Sequence, residues 1–481
     1  MLIGQLLVAS GYVTDEHIRA ALERQKTAGG LLGENLIALG ALTDEQLKKV
    51  LAHHPIAPRT IEGTDVSPSL LLSLAIKALY VLGRETTSQV ADALNLSTGI
   101  ATTLLETARD RGLVEVLGSL SGNLASELRF SLTDKGKAWA ADALDQSQYV
   151  GSAPVSLETY RRQIERQSIR SERINHAILL NQLSSLVIPA EMLEELGPAV
   201  NSGRSMLLHG PPGNGKTSIA VAIGKSFQGM VYVPHAFEVD GQIIKVFDPT
   251  LHEPIEVESD SVVSLRAGSH LRKEEFDRRW VPCRRPVMIA GGELNLSMLD
   301  LVFNPFAKFY EAPLQVKAMN GVFVIDDFGR QSVDPKQILN RWIIPLEKGV
   351  DYLALHTGKK FLLPFNELVI FSTNLSPKEL LDEAFLRRIP YKIEVGHPST
   401  EDFVRIFRMV SAEKQVEVTD DVLEYLYESF YSKHGVPFSG YHPRFIIDRV
   451  VDRCQFANQP PRLDQELVDY AVRNLQIFDA A

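Results

Sequence analysis

Apolar residues recur along this chain with two different periods, and the change of period divides it. Short runs that are apolar at every position predict strands buried on both faces: Met206-Leu-Leu208, Val322-Phe-Val-Ile325 and Leu368-Val-Ile-Phe371. Helical spacing dominates before and after them. Helices are predicted over 69–82, 87–94 and 98–111, with a turn at Asn95-Leu-Ser97 and a stop at Gly112. Leu113-Val-Glu-Val-Leu117 and Leu128-Arg-Phe-Ser-Leu132 alternate as strands do; a turn at Asp134-Lys-Gly136 and a helix to Leu144 follow. Near the end, Thr400 is placed to cap a helix starting at Glu401, and Phe403 to Met409 has the helical period. Pro443 sits in the first turn of another helix, opened by Gly440-Tyr-His-Pro-Arg444.

Residues 1–55 form a repeat. Gly4-Gln-Leu-Leu-Val-Ala-Ser-Gly11-Tyr-Val-Thr14-Asp-Glu matches Gly33-Glu-Asn-Leu-Ile-Ala-Leu-Gly40-Ala-Leu-Thr43-Asp-Glu at an offset of 29 residues, with Thr14 and Thr43 as helix caps. Two copies of one helical unit are therefore expected. Residues 56–150 have the order of a winged helix-turn-helix, and 151–180 form a linker helix. Residues 181–400 are expected to be an α/β core and 401–481 a helical lid. Within the core, 231–320 is a long insertion, with a hairpin turning at Asp240–Gly241 and an extra strand near Val287 to Glu293. Phe303, Phe306, Phe309 and Tyr310 admit two readings, a central-pore loop or core aromatics, and their partly helical spacing favours the core.

Length and charge narrow the classes. At 481 residues the chain exceeds one core, and 45% apolar with 23% charged residues is an ordinary globular composition. A net charge of −10 gives no global attraction to nucleic acid or an anionic membrane. Residues 61–150 hold eleven acids and seven bases, so the presumed recognition helix, with Thr98, Thr102, Thr103 and Glu106 in front, offers little for phosphates. Protein docking is the reading preferred over DNA. Two cysteines, Cys283 and Cys454, form no CxxC pair and suit a reducing cytoplasm. Lys77 interrupts the apolar stretch from Leu70 to Gly83, which is too short to span a bilayer, so no membrane insertion is expected.

The chemistry is concentrated in Ser205-Met-Leu-Leu-His-Gly210-Pro211-Pro212-Gly213-Asn214-Gly215-Lys216-Thr217-Ser218-Ile219. A strand, a glycine-rich loop and a helix start on the G-x-x-x-x-G-K-[ST] spacing let backbone N–H groups wrap a phosphate. Lys216 can then reach the β- and γ-phosphates, and Thr217 can put a hydroxyl on Mg²⁺. Asp326 and Asp327 end a buried strand, where the first can hold Mg²⁺ through water and the second can orient an attacking water. Asn374 ends the next strand, within reach of a γ-phosphate.

Together with Leu381-Asp-Glu-Ala-Phe-Leu-Arg387-Arg388-Ile389, these motifs resemble an AAA+ ATPase. The resemblance implies an α/β P-loop NTPase fold with a C-terminal helical lid, ATP and Mg²⁺ as ligands, and a homo-oligomeric, hexameric ring. It makes Asn374 the sensor 1 residue, Arg387 and Arg388 arginines that reach the neighbouring subunit's nucleotide, and Arg444 the sensor 2 residue. The stretch from Asp326 through Glu347, the Gly349–Pro364 hairpin and Asp382 to Arg387 look most like the MoxR branch. Asp-Asp-aromatic-Gly is also similar to helicase loaders, and Asp327 is one methylene shorter than the usual Glu. The opening repeat resembles the N-terminal domain of type II secretion and type IV pilus assembly ATPases, some of which bind cyclic di-GMP. The arginines of those members are Leu2 and Leu31 here, so cyclic di-GMP is not expected to bind. The expected function is ATP-driven remodelling or assembly of a protein complex, with pilus or secretion machinery suggested by the first domain. A DNA-associated regulator or loader and an ATP-binding scaffold with weak hydrolysis are the other two readings.

Overall fold

Five parallel strands make the central sheet: Met206–His209, Val287–Ala290, Val322–Ile325, Leu368–Thr373 and Tyr391–Glu394. Numbered along the chain, they lie in the order 2-3-4-1-5. The third and fourth strands are buried at every position. Their alternate side chains feed two cores. Val322, Val324, Leu368 and Ile370 join the helices Ala190–Ser202 and Lys216–Ser226 on one face. Phe323, Ile325, Val369 and Phe371 meet Trp342 and Leu339 of helix Pro335–Lys348 on the other. An apolar residue at every position is what a sheet covered on both sides requires.

The structure is a computed structural model that describes residues 7–8, 12–29, 32–44, 46–47, 54–119, 127–255, 263–266, 271–274, 276–380, 383–473 and 475. Leu2 and Leu31, on which the cyclic di-GMP expectation rests, lie outside the described residues, as does Asp382. The two copies of the opening repeat share a cap. Thr14 accepts from His17 N and His17 accepts from Thr14 N; Thr43 and Gln46 do the same 29 residues on.

The strand at Val287–Ala290 corrects one expectation. It is no addition to the core but its edge strand, paired in parallel with Val322–Ile325. The expected hairpin is present as Ala236–Val239 and Gln242–Lys245. Asp240 (φ 54°) and Gly241 (φ 79°) both have left-handed backbones, which the tight turn demands. It belongs to a second five-stranded sheet that also takes in Val302–Asn304, Phe309–Glu311 and Val155–Ser156. The four aromatics thus sit on a β-hairpin rather than at helical spacing. Tyr310 is buried, Phe303 stacks on His356 and Phe309 meets Tyr149 edge-on, whereas Phe306 at the tip is 84% exposed.

Helices Pro68–Leu82, Thr87–Leu94 and Thr98–Asp110, the hairpin Val114–Ser119 with Leu128–Leu132, and helix Asp134–Gln146 share one core with Ala236 and Ile243 of the second sheet. The expected turn at Asp134–Gly136 is instead the first turn of that last helix, capped by Thr133. Gly136 is needed there because a Cβ would lie 2.0 Å from the Leu113 carbonyl oxygen. The connector at 151–180 is also more than a linker helix. After Val155–Ser156 and helix Leu157–Arg166 it runs along the N-terminal edge of the central sheet, where Gln167 bonds to Asn320 and Ser168 to Asn366.

The C-terminal helices Thr400–Glu413, Asp420–Leu426, His442–Phe456 and Gln465–Val472 have their own core around Phe407, Phe430 and Ile447. Ser399 rather than Thr400 caps the first of them, accepting from Asp402 N at 3.1 Å. Among the described residues no helix is long and apolar enough to cross a membrane.

Candidate functional site

The first core strand runs into the phosphate loop, which leads into helix Lys216–Ser226. Each loop glycine has its own reason. A Cβ at Gly210 (φ 139°) would lie 2.3 Å from Val395 O, and one at Gly213 (φ 78°) 2.3 Å from the Tyr441 ring. Gly215 (φ 86°) has open space around it and is required by its backbone alone. Lys216 is buried inside the loop, its Nζ donating to the carbonyls of Gly210 and Pro211 at 2.8 Å each. Burial lowers its pKa, and the Asp326 and Asp327 carboxylates oppose that while Arg330 adds to it. His209, at the end of the same strand, is held below its usual pKa by burial and by Lys216, against Glu394.

The acidic pair closes on this lysine from the third strand. Thr217 Oγ1 donates to Asp326 Oδ2 at 2.8 Å, and Asn374 Nδ2 donates to Asp327 Oδ1 at 3.1 Å. The fold therefore brings Lys216, Thr217, Asp326, Asp327 and Asn374 together from three adjacent strands. Asp327 adopts φ 47°, a costly region for a non-glycine residue, and the turn is over-determined around it. Phe328 N donates to Ser372 O, Thr373 Oγ1 donates to Phe328 O at 2.6 Å, and Gln331 Nε2 donates to the carbonyls of Asp326 and Asp327. The Thr217 hydroxyl and the Asp326 carboxylate are adjacent hard oxygen donors, a set that fits Mg²⁺ completed by water and phosphate.

The lid reaches the loop through Asn214. Its Oδ1 accepts from Gly440 N at 2.8 Å and from Ser439 Oγ at 3.1 Å. Between lid and core lies a cavity of about 560 Å³, lined by Gly213, Asn214, Gly215, Ser218, Arg444 and the segment 185–188. Arg444 sits in the first turn of its helix but holds Glu413 with both terminal nitrogens, at 3.2 and 2.6 Å. Arg387 and Arg388 are not brought to the phosphate loop. They end helix Glu383–Arg388 and line a different cavity, at the N-terminal edge of the sheet, where Arg388 pairs with Glu347 at 2.9 Å. Four residues of strand at about 3.3 Å each put roughly 13 Å between the two edges.

Ser439, Gly440, Gln331 and segment 185–188 were not anticipated as site residues. The helix-opening Gly440-Tyr-His-Pro signal contains one of them, and the stretch from Asp326 through Glu347 contains Gln331.

A phosphate loop after a central strand, paired acids after its second neighbour and an asparagine after its first define the class: a P-loop NTPase fold of the AAA+ type. Known proteins add little to that. A family model described as Domain of unknown function (DUF8689) matches residues 399–474, the helical C-terminal part. No curated protein matches the chain. Similar solved structures include the RuvB Holliday junction branch migration motor of Thermotoga maritima, 15% identical, covering 67% of this chain and 73% of that one, with a TM-score of 0.33. NtrX of Brucella abortus in complex with ATP is 12% identical over 69% of this chain and 63% of its own, with a TM-score of 0.36. The class rests on strand order and site geometry, not on these likenesses.

Proposed function

We propose that this protein is a Mg²⁺-dependent ATPase that works as a homo-oligomeric ring and uses residues 1–150 to engage a protein complex it remodels or assembles. The observation that carries the reading is the pair of contacts around Lys216, Thr217 to Asp326 and Asn374 to Asp327. ATP would lay its phosphates along Gly210 to Thr217 and its base in the cavity beside 185–188. Mg²⁺ held by Thr217 and Asp326 would offset charge on the β- and γ-phosphates. Asp327 would position the attacking water, with Asn374 fixing its carboxylate. Arg387 and Arg388, remote from their own loop, would serve the neighbouring subunit's nucleotide, and Arg444 would turn from Glu413 to the phosphates as the lid closes.

Protein engagement is favoured over DNA by the helix Thr98–Asp110. Thr102, Thr103 and Thr107 donate their hydroxyls to their own helix's carbonyls four residues back, and the segment carries net negative charge. A winged helix with such a face suits a protein partner, and the secretion-like repeat before it suits pilus or secretion machinery. The test is steady-state phosphate release by the purified chain with and without Mg²⁺, beside oligomer mass. Tight ATP binding with no turnover would select the scaffold reading, for which the short Asp327 is the specific observation. Salt-dependent duplex binding by residues 56–150 would select the DNA reading.

A further inference from the structure

A second cavity, of about 520 Å³, opens at the N-terminal edge of the central sheet, beneath the starts of its first, fourth and fifth strands. Arg170, Arg204, Arg387 and Arg388 all line it, with Lys348 at its rim. Arg170 comes from the connector, and its stem is laid across Gly203, where a Cβ would meet Arg170 Cγ at 2.6 Å. Among the described residues neither Arg170 nor Arg204 has a side-chain hydrogen bond or ion pair, whereas Arg388 pairs with Glu347. The uncompensated positive charge in the cavity is therefore that of Arg170 and Arg204, and two such guanidinium groups lining one cavity suit a ligand with several anionic oxygens.

The floor of the cavity carries an independent sign. Glu367 is 3% exposed, and among the described residues neither carboxyl oxygen has a hydrogen-bond partner. Burial and the nearby Asp351 carboxylate, itself held by Arg341, push its pKa well above the usual range, against the Arg170 guanidinium. In the neutral form, which burial favours, Glu367 offers an O–H donor to the cavity it lines instead of a charge that would repel an anion. A buried donor with nothing to bond is a group waiting for an acceptor.

We propose that this cavity is a phosphate-binding site, in which Arg170 and Arg204 bind the anion with Arg387 and Arg388 and Glu367 donates to it. The chain's own nucleotide cannot fill it, since the phosphate loop is at the opposite edge of the sheet. The phosphate group is therefore that of a free polyphosphate or nucleotide, or that of a nucleotide on an adjoining copy; only the second source rests on the ring reading above.

The test uses the full chain. With Lys216→Ala in place to weaken the phosphate loop, inorganic tripolyphosphate is titrated calorimetrically at low salt. Saturable binding that Arg170→Ala plus Arg204→Ala weakens at least tenfold, with the melting curve unchanged, identifies a free polyphosphate as the ligand. Glu367→Gln, which keeps an N–H donor, should retain binding, and Glu367→Met should lose it. If tripolyphosphate does not bind, ATP turnover is compared with Lys216 intact. A tenfold or larger fall in kcat for Arg170→Ala plus Arg204→Ala, with ATP affinity unchanged, identifies the adjoining copy's nucleotide. The proposal is overturned if tripolyphosphate does not bind and the double variant turns over ATP like the parent. Should the parent itself lack turnover, the ATPase reading fails separately and the tripolyphosphate titration alone decides this site.

Discussion

Replacing Asn214 by alanine should loosen the lid from the phosphate loop without unfolding either. The side chain accepts from Gly440 N at 2.8 Å and from Ser439 Oγ at 3.1 Å, joining parts of the chain 225 residues apart or more. Two neutral hydrogen bonds contribute about 0.5–1.5 kcal/mol each, so their loss alone would cost roughly 1–3 kcal/mol. Two features reduce that. Asn214 Nδ2 is buried without a partner, so deleting it relieves about 1 kcal/mol. Ser439 Oγ also keeps the Pro212 carbonyl, 3.4 Å away. A net loss of about 1 kcal/mol remains at mid-range, which opens the lid roughly fivefold more often. Native-state hydrogen exchange at the Gly440 amide should rise by that factor. The Asp326 amide, which donates to Ala290 O inside the sheet, should not change. An unchanged Gly440 rate would show that the lid is held elsewhere, and an equal rise at Asp326 would mean the core had been destabilised instead.

Lys216→Ala should abolish ATP binding while the fold survives, because among the described residues the lysine's ammonium bonds to loop carbonyls alone; labelled ATP retained as tightly as by the parent would remove the loop assignment. Replacing both Arg387 and Arg388 by alanine should leave ATP binding intact and cut turnover on the order of 10³-fold. Mixed with the Lys216→Ala protein, that variant should recover activity through hybrid interfaces, and no recovery in rings shown to be mixed would refute a role in trans. Lys77, buried against the carbonyls of Ser147 and Tyr149, has its pKa lowered by burial to about 8. The unfolded chain holds this proton up to about pH 10.4, so stability relative to Lys77→Met should rise with pH between about 8 and 10.4, and a parallel pair of urea-melt profiles would contradict it. Cyclic di-GMP should not bind the full chain at micromolar concentration, and a calorimetric dissociation constant near 1 μM, about −8 kcal/mol, would revive a sensor role.

What could be inferred from the chain alone follows from how local each signal is. The phosphate loop, the buried strands and most helix starts are written in contiguous residues, because a wrapped phosphate or a capped helix needs neighbours in sequence. Thr14, Thr86 and Thr133 each cap the helix that follows them. Features set by distant contacts stayed hidden. Val287–Ala290 is only four residues long and follows the inserted second sheet, so its place beside Val322 could not be seen. Gly136 looks like a turn residue, and only the Leu113 carbonyl above it explains a glycine inside a helix. Glu367 precedes a strand as many solvated acids do, and nothing local says that both its oxygens are buried. Arg387 and Arg388 are neighbours in sequence, but their place at the far edge of the sheet follows from strand order alone.

The insertion connects the cluster around Lys216 to the segments that precede the central sheet, and the connection can be followed atom by atom. The strand that ends in Asp326 and Asp327 begins just after Asn320, which is fully buried and held at φ 62°. Asn320 Oδ1 accepts from Gln167 Nε2, which also bonds to the Tyr232 carbonyl, and Arg285 donates to Asn320 O while pairing with Glu172 at 2.7 Å. Tyr232 lies on the strand paired with Trp280–Arg284, and the hydroxyl of Tyr232 meets His54. Arg279, beside that strand, forms a buried ion pair with Asp277 and donates to the carbonyls of Thr64 and Pro154, on either side of the helical segment 68–146. A buried strand tied at both ends cannot shift at its acidic end without loading the other. Buried hydrogen-bonded pairs of this kind resist stretching and hold one geometry, since leaving any member unpaired costs about 1–3 kcal/mol. The acidic end of the strand, at Asp326 and Asp327, is therefore joined by covalent strand and buried polar contacts to residues 54–64 and 154, whereas among the described residues Asn214 ties the C-terminal helices to the Lys216 loop through Ser439 and Gly440.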